Sequence, residues 1–212
     1  MKNRSSSVFF LLVMVTLTTD SLSVDLKKSE PLLIDRKSDL TITGLEITNP
    51  KGNGITIRNS KRIRIEGCKI GPCKGEAVNI YGSDGIMVTG NRFEAVSTGV
   101  YALESHRIEI IHNRCLNVHG PFPRGQLAQF DKVTGGGNRI NHNLALNILG
   151  KSNPEDVINI YKSSGTADDP IQIIGNKILG GGPSDSGGGI MTGDSGGAYI
   201  VVKDNVLVDP GQ

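Results

Sequence analysis

The chain has 212 residues, no Trp, few aromatics, and 28 glycines against 9 prolines, a composition for one domain with many tight turns that excludes helix-rich and disordered classes. Its formal charge of +2 is too near neutral for a general nucleic-acid binder, so no nucleic-acid partner is expected. Cys68, Cys73 and Cys115 match no zinc or haem spacing; buried thiols are expected, with a Cys68 to Cys73 disulfide as the alternative.

At the start of the chain, Lys2 and Arg4 precede an apolar run from Val8 to Leu17 and small residues at Ser21 and Ser23, which predicts a secretion signal over residues 1–23. The run is about half the ~20 residues that a membrane helix needs, and no later segment is apolar enough to span a bilayer. The remaining domain, residues 24–212, is expected to be secreted or periplasmic and monomeric. Without Lys2, Arg4 and Asp20 it has 21 basic and 20 acidic residues, a charge of +1.

From about residue 31 the sequence repeats. A short apolar-alternating strand followed by Gly, His or Asp and then Asn recurs as Ile86 to Asn91, Ile108 to Asn113, Asn138 to Asn143, Ile171 to Asn176 and Ile200 to Asn205. Two earlier copies put Leu45 and Cys68 in the Asn slot. The slot falls at 45, 68, 91, 113, 143, 176 and 205, so the steps are 23, 23, 22, 30, 33 and 29 residues. An earlier strand of each unit alternates too, as in Ile55-Thr56-Ile57 and Ile158-Asn159-Ile160, and a third follows the Asn corner, as in Leu144-Ala145-Leu146. Alternation places the first and third residue of each set inside. With no 3.6-residue apolar period between strands, the pattern predicts an all-β fold, a right-handed parallel β-helix of about seven coils with three parallel sheets. The Gly/Asn corner has a physical cause: the bend needs a residue that tolerates the left-handed region, and Asn can bond the neighbouring coil.

Long inserts interrupt the later coils at 119–125, 150–155, 163–170 and 180–188. Three of them lead into the first strand of a coil, where they would wall a groove over its outer face. Aligned first strands present Thr56, Asn79, Tyr101, Gln129, Asn159 and Met191 in one outward row. The next row is Arg58, Tyr81, Leu103, Asp131, Tyr161 and Gly193. Just beyond stands a charged ladder of Glu104, Lys132, Lys162 and Asp194.

This repeat resembles the right-handed parallel β-helix superfamily that includes pectate lyases, polygalacturonases and alginate lyases and epimerases, over residues 31 to 211. The resemblance implies action on polysaccharide without choosing an enzyme. Of the polygalacturonase motifs only Asp168-Asp169 and an incomplete His119-Gly120 stand here, and the Asp-Pro-His of alginate epimerases and the Arg-x-Pro-x-x-Arg of pectate lyases are absent.

Lyase-like β-elimination on an acidic polysaccharide is the leading expectation, with the groove on coils four to seven. Lys132 or Lys162 would be the base and Tyr161 the acid, and Arg124 would neutralise the uronate carboxylate. Tyr101, Gln129, Asn159, Glu104 and Asp194 would hold sugar. Glu155, Asp156 and Asp194 offer hard oxygen ligands for Ca²⁺. A glycoside hydrolase would instead pair Asp131 with Asp156 or Asp194. The rival class is a non-catalytic glycan-binding, adhesin or envelope β-helix, in which the charged ladder is a surface ion-pair row of little energetic worth. At the far end, Asn205 to Gln212 stops where an eighth coil should begin, so an uncapped or truncated helix is expected.

Overall fold

The computed structural model describes residues 25–181 and 187–210; the expected signal segment and the centre of the 180–188 insert lie outside the described residues. All regular elements are strands, and they form three sheets. The groove sheet stacks β2 (Leu32–Asp35), β5 (Ile55–Arg58), β8 (Val78–Tyr81), β11 (Val100–Leu103), β14 (Ala128–Asp131), β17 (Ile158–Tyr161) and β20 (Ile190–Asp194). The second holds β3 (Ser38–Thr43), β6 (Lys61–Glu66), β9 (Asp84–Thr89), β12 (His106–Ile111), β15 (Arg139–Asn141), β18 (Ile171–Ile174) and β21 (Ile200–Lys203). The third holds β1 (Lys27–Ser29), β4 (Leu45–Asn49), β7 (Lys69–Cys73), β10 (Arg92–Glu94), β13 (Arg114–Leu116), β16 (Leu144–Leu146), β19 (Lys177–Leu179) and β22 (Val206–Val208). Each strand pairs in parallel with its counterpart one coil away, giving the expected β-helix of about seven coils.

Period-two alternation fixes the register, because a slip of one residue would turn every core side chain outward. Ile57, Ile80, Ala102, Phe130 and Ile160 form one inward column of the groove sheet. Ile65, Val88, Ile110, Ile140 and Ile173 form another in the second sheet, and Ile70, Phe93, Cys115, Ala145 and Ile178 a third. These residues are buried, each large one contributing about 1.5–3 kcal/mol. All three cysteines are buried and free, so the disulfide alternative is not formed.

Two polar ladders close the corners. Along the first, the backbone N–H of Asn91, Asn113, Asn143 and Asn176 donates to Oδ1 of the next coil's asparagine at 2.9–3.0 Å. The same asparagines send Nδ2 back to carbonyls of Ile65, Val88, Ile110 and Ile140. The left-handed residue of the bend is the one before each Asn: Gly90, His112, His142, Gly175 and Asp204 all have φ between 56° and 67°. The second ladder, at the corner leaving the groove sheet, uses serine hydroxyls. Ser60, Ser83 and Ser105 accept from the backbone one coil below at 3.1 Å, and Ser163 does so from Val133 at 2.9 Å.

Candidate functional site

The outer face of the groove sheet keeps the expected row Thr56, Asn79, Tyr101, Gln129, Asn159, Met191 in register. The adjacent row differs at its last position. A register shift in β20 pairs Tyr161 with Asp194 instead of Gly193. Gly193 takes a left-handed φ of 72°, and Ser195 rather than Asp194 occupies the bend position held by Glu104, Lys132 and Lys162. Asp194 therefore leaves the expected charged ladder and joins the row Asp131, Tyr161, with one aromatic ring between two carboxylates.

The inserts before β14 and β17 fold over this face. Gln126 anchors the first: its Oε1 accepts from Thr98 Oγ1 at 3.0 Å and its Nε2 donates to the Pro123 carbonyl at 3.0 Å. Gly125 lies against the second insert, where a Cβ would stand 2.5 Å from the Glu155 nitrogen. Arg124 is thereby turned inward. Its guanidinium lies 3.8 Å over the Tyr101 ring, Nε donates to Glu76 at 3.1 Å, and Nη1 donates to Gln129 at 3.1 Å.

The result is a groove of about 540 Å³ in which Tyr101, Gln129, Asn159, Asp131, Tyr161 and Asp194 form the floor. Arg124, Phe122, Glu155 and Asp156 stand along its walls. Tyr101 donates its phenol to Asp131 Oδ2 at 2.7 Å, while Asp131 Oδ1 is buried with no hydrogen-bond partner. A buried acceptor left in that state costs about 1–3 kcal/mol. Gln129 donates to Asn159 Oδ1 at 3.3 Å, and Asn159 Nδ2 donates to both Asp156 at 2.8 Å and Asp194 at 3.2 Å. Burial, and then the hydrogen bond to Asp131, pushes the Tyr101 phenol up to about 12. Tyr161 moves the other way, drawn below the usual phenol range by Lys162 and then by the Ser195 hydroxyl.

A model of the right handed beta helix region family matches residues 32–207. The chain belongs to that family. No curated protein matches the chain. Membership in the right-handed β-helix family fixes the scaffold, whereas the chemistry must come from the groove's own side chains.

The expected site residues divide into two groups. Tyr101, Arg124, Gln129, Asp131, Glu155, Asp156, Asn159, Tyr161 and Asp194 share the groove. Glu104, Lys132 and Lys162 stand at its exposed edge, where Lys132 pairs with Glu104 at 3.0 Å and the Lys162 ammonium lies 4.9 Å over the Tyr161 ring. The Glu104 carboxylate holds the Lys132 ammonium above the ordinary lysine range, which opposes its expected use as a base, since a general base must be free of its proton at working pH. The Ca²⁺ cluster expected from Glu155, Asp156 and Asp194 does not fit either. Among the described residues no three carboxylate, His or Cys groups converge as a metal site. Asp156 is already engaged at both oxygens, by Asn159 Nδ2 and by the Gly188 backbone N–H. Glu76, which orients Arg124 from 48 residues away, had no sequence signal.

Proposed function

We propose that this chain is an exported glycan-processing β-helix that binds a polysaccharide across coils four to seven and hydrolyses a glycosidic bond between Asp131 and Asp194. The Asp131 carboxylate on the groove floor carries the reading: Tyr101 donates to its Oδ2 and fixes its orientation, and Oδ1, buried without a hydrogen-bond partner, is the oxygen that accepts a proton of the attacking water once the floor opens to admit that water. Asp194, tied through the Asn159 amide to Asp156, donates a proton to the leaving oxygen. Asp131 and Asp194 lie two coils apart in one row, roughly 9.5 Å along the sheet at ~4.8 Å per coil. That is the span of an inverting pair, not the ~5 Å of a retaining one. Arg124 and Tyr161 position sugar rings.

A groove with four carboxylates disfavours a densely charged uronate polymer at the scissile bond. The inward Arg124 nevertheless supports a second reading, the β-elimination of a uronate seen in pectate-lyase-like enzymes, with Arg124 neutralising the carboxylate, Lys162 taking the proton α to it and Tyr161 protonating the leaving oxygen. Incubation with neutral, uronate and sulfated polysaccharides separates the readings. New reducing ends without ultraviolet absorbance support hydrolysis, and absorbance of an unsaturated product supports elimination. Binding without either places the protein in the non-catalytic class. Asp131→Asn is expected to lower turnover by at least ~10²-fold, the usual worth of a general base, with the melting temperature little changed.

A further inference from the structure

The groove does not stop at Tyr101. On its other side the same ring forms a wall of a second depression of about 420 Å³, lined by Arg58, Asn59, Asn79, Tyr81 and Leu103. The two depressions share one sheet face. Arg58, Tyr81, Leu103 and Asp131 follow one another in register on consecutive coils, so Arg58 lies about 14 Å from Asp131 along the sheet, three strand spacings of ~4.8 Å.

The two ends have opposite electrostatic character. At the Asp131 end four carboxylates face the groove, and its one guanidinium is already bonded to Glu76 and Gln129. At the other end Arg58 is exposed, and among the described residues no carboxylate lies within ion-pair distance of it. The nearest candidate in register, Asp35, accepts from Asn59 Nδ2 at 3.5 Å. Beside Arg58 lie the Tyr81 ring, 40% exposed, and the Asn79 amide. A free planar guanidinium matches the paired oxygens of a carboxylate or a sulfate ester, and an exposed ring next to it provides an apolar face for a sugar.

We infer that this depression is a remote subsite for an anionic substituent, a carboxylate or sulfate, on a glycan whose scissile bond lies several rings away at Asp131. The inference rests on the groove being the glycan site proposed above. It makes the enzyme endo-acting and orients the chain: charged residues are accepted toward coil two and repelled at the acidic cleavage point. Chains too short to reach Arg58 gain nothing from it.

The test uses size-defined alginate oligosaccharides as carboxylated probes, carrageenan oligosaccharides as sulfated probes, and cello-oligosaccharides as neutral ones, with binding measured by calorimetry and turnover by reducing ends. Arg58→Gln should weaken binding of long charged probes roughly tenfold or more, the worth of one charge-assisted hydrogen bond. The loss should appear in the calorimetric Kd of the long charged probes, binding of disaccharides and both binding and turnover of neutral chains should be unaffected, and Arg58→Lys should recover part of it. The better-bound probe series identifies carboxylate or sulfate. The subsite is overturned if Arg58→Gln changes charged and neutral long chains alike or not at all, or if the native protein binds neither charged series. Asp131→Asn tests the underlying reading separately: full turnover in that variant removes hydrolysis at Asp131 whatever Arg58 does.

Discussion

Two tyrosines two coils apart in neighbouring rows have opposite acidities, and the difference is set by what each phenol touches. Tyr101 is buried and donates to a carboxylate, so both effects oppose phenolate and raise its value to about 12. Tyr161 is drawn down by Lys162 and Ser195. Ultraviolet titration of the four tyrosines should therefore show one ionising below the ordinary range, lost in Tyr161→Phe, and one near 12, lost in Tyr101→Phe. The sign of the stability effect follows. A phenol whose value is higher in the folded state stabilises fully below its unfolded value of about 10, and that contribution disappears as pH rises toward 12. The buried Cys115 thiol, also raised to about 12 by burial, adds a similar loss starting near 9. Denaturant titrations over this window should show stability falling with pH, less steeply in Tyr101→Phe. A slope unaltered by that change would contradict the burial of the phenol.

Among elements, the asparagine ladder reinforces the coil spacing that the three parallel sheets set. Asn143 Oδ1 accepts from the Asn113 backbone at 2.9 Å and from its Nδ2 at 3.1 Å, while Asn143 Nδ2 serves the Ile110 carbonyl and Asn176 Oδ1. Asn143→Ala leaves several buried groups unpaired at about 1–3 kcal/mol each, so a loss of roughly 3–5 kcal/mol is expected in denaturant unfolding. Asn205→Ala, at the less buried end, should cost clearly less. This ladder was legible in the sequence because the asparagine follows each strand at a fixed offset. The serine ladder was not, since Lys37 and Val133 fill its slot in two coils and serine is common in turns. Nor was the shift in β20, which depends on the backbone of Gly193 and moves Asp194 by one row. The inward columns were readable from alternation alone. The inserts were readable only as inserts: what turns Arg124 onto Tyr101 is a set of contacts with Thr98, Glu76 and Glu155 that no local pattern encodes.

For the molecule as a whole, strands pair only with the coil directly before or after, so damage should remain local. Phe130, fully buried between Ala102 and Ile160, offers the test. Phe130→Ala is expected to cost about 3–5 kcal/mol and to speed amide hydrogen exchange in β11, β14 and β17, while β3 and β6 keep their protection. Uniform acceleration would instead mark one all-or-none unit. The ladder contacts also have a consequence for ancestry. Asn91 to Asn113 spans 22 residues and Asn143 to Asn176 spans 33, yet the bond across each step is 3.0 Å. The spacing between storeys is thus indifferent to how much chain is looped out between them. Descendants of such a scaffold can lengthen, exchange or delete a loop without renegotiating the fold, and a duplicated storey finds its donors and acceptors already in place. Catalytic novelty and structural inheritance reside in different stretches of the same chain, so selection can rewrite the one while leaving the other untouched.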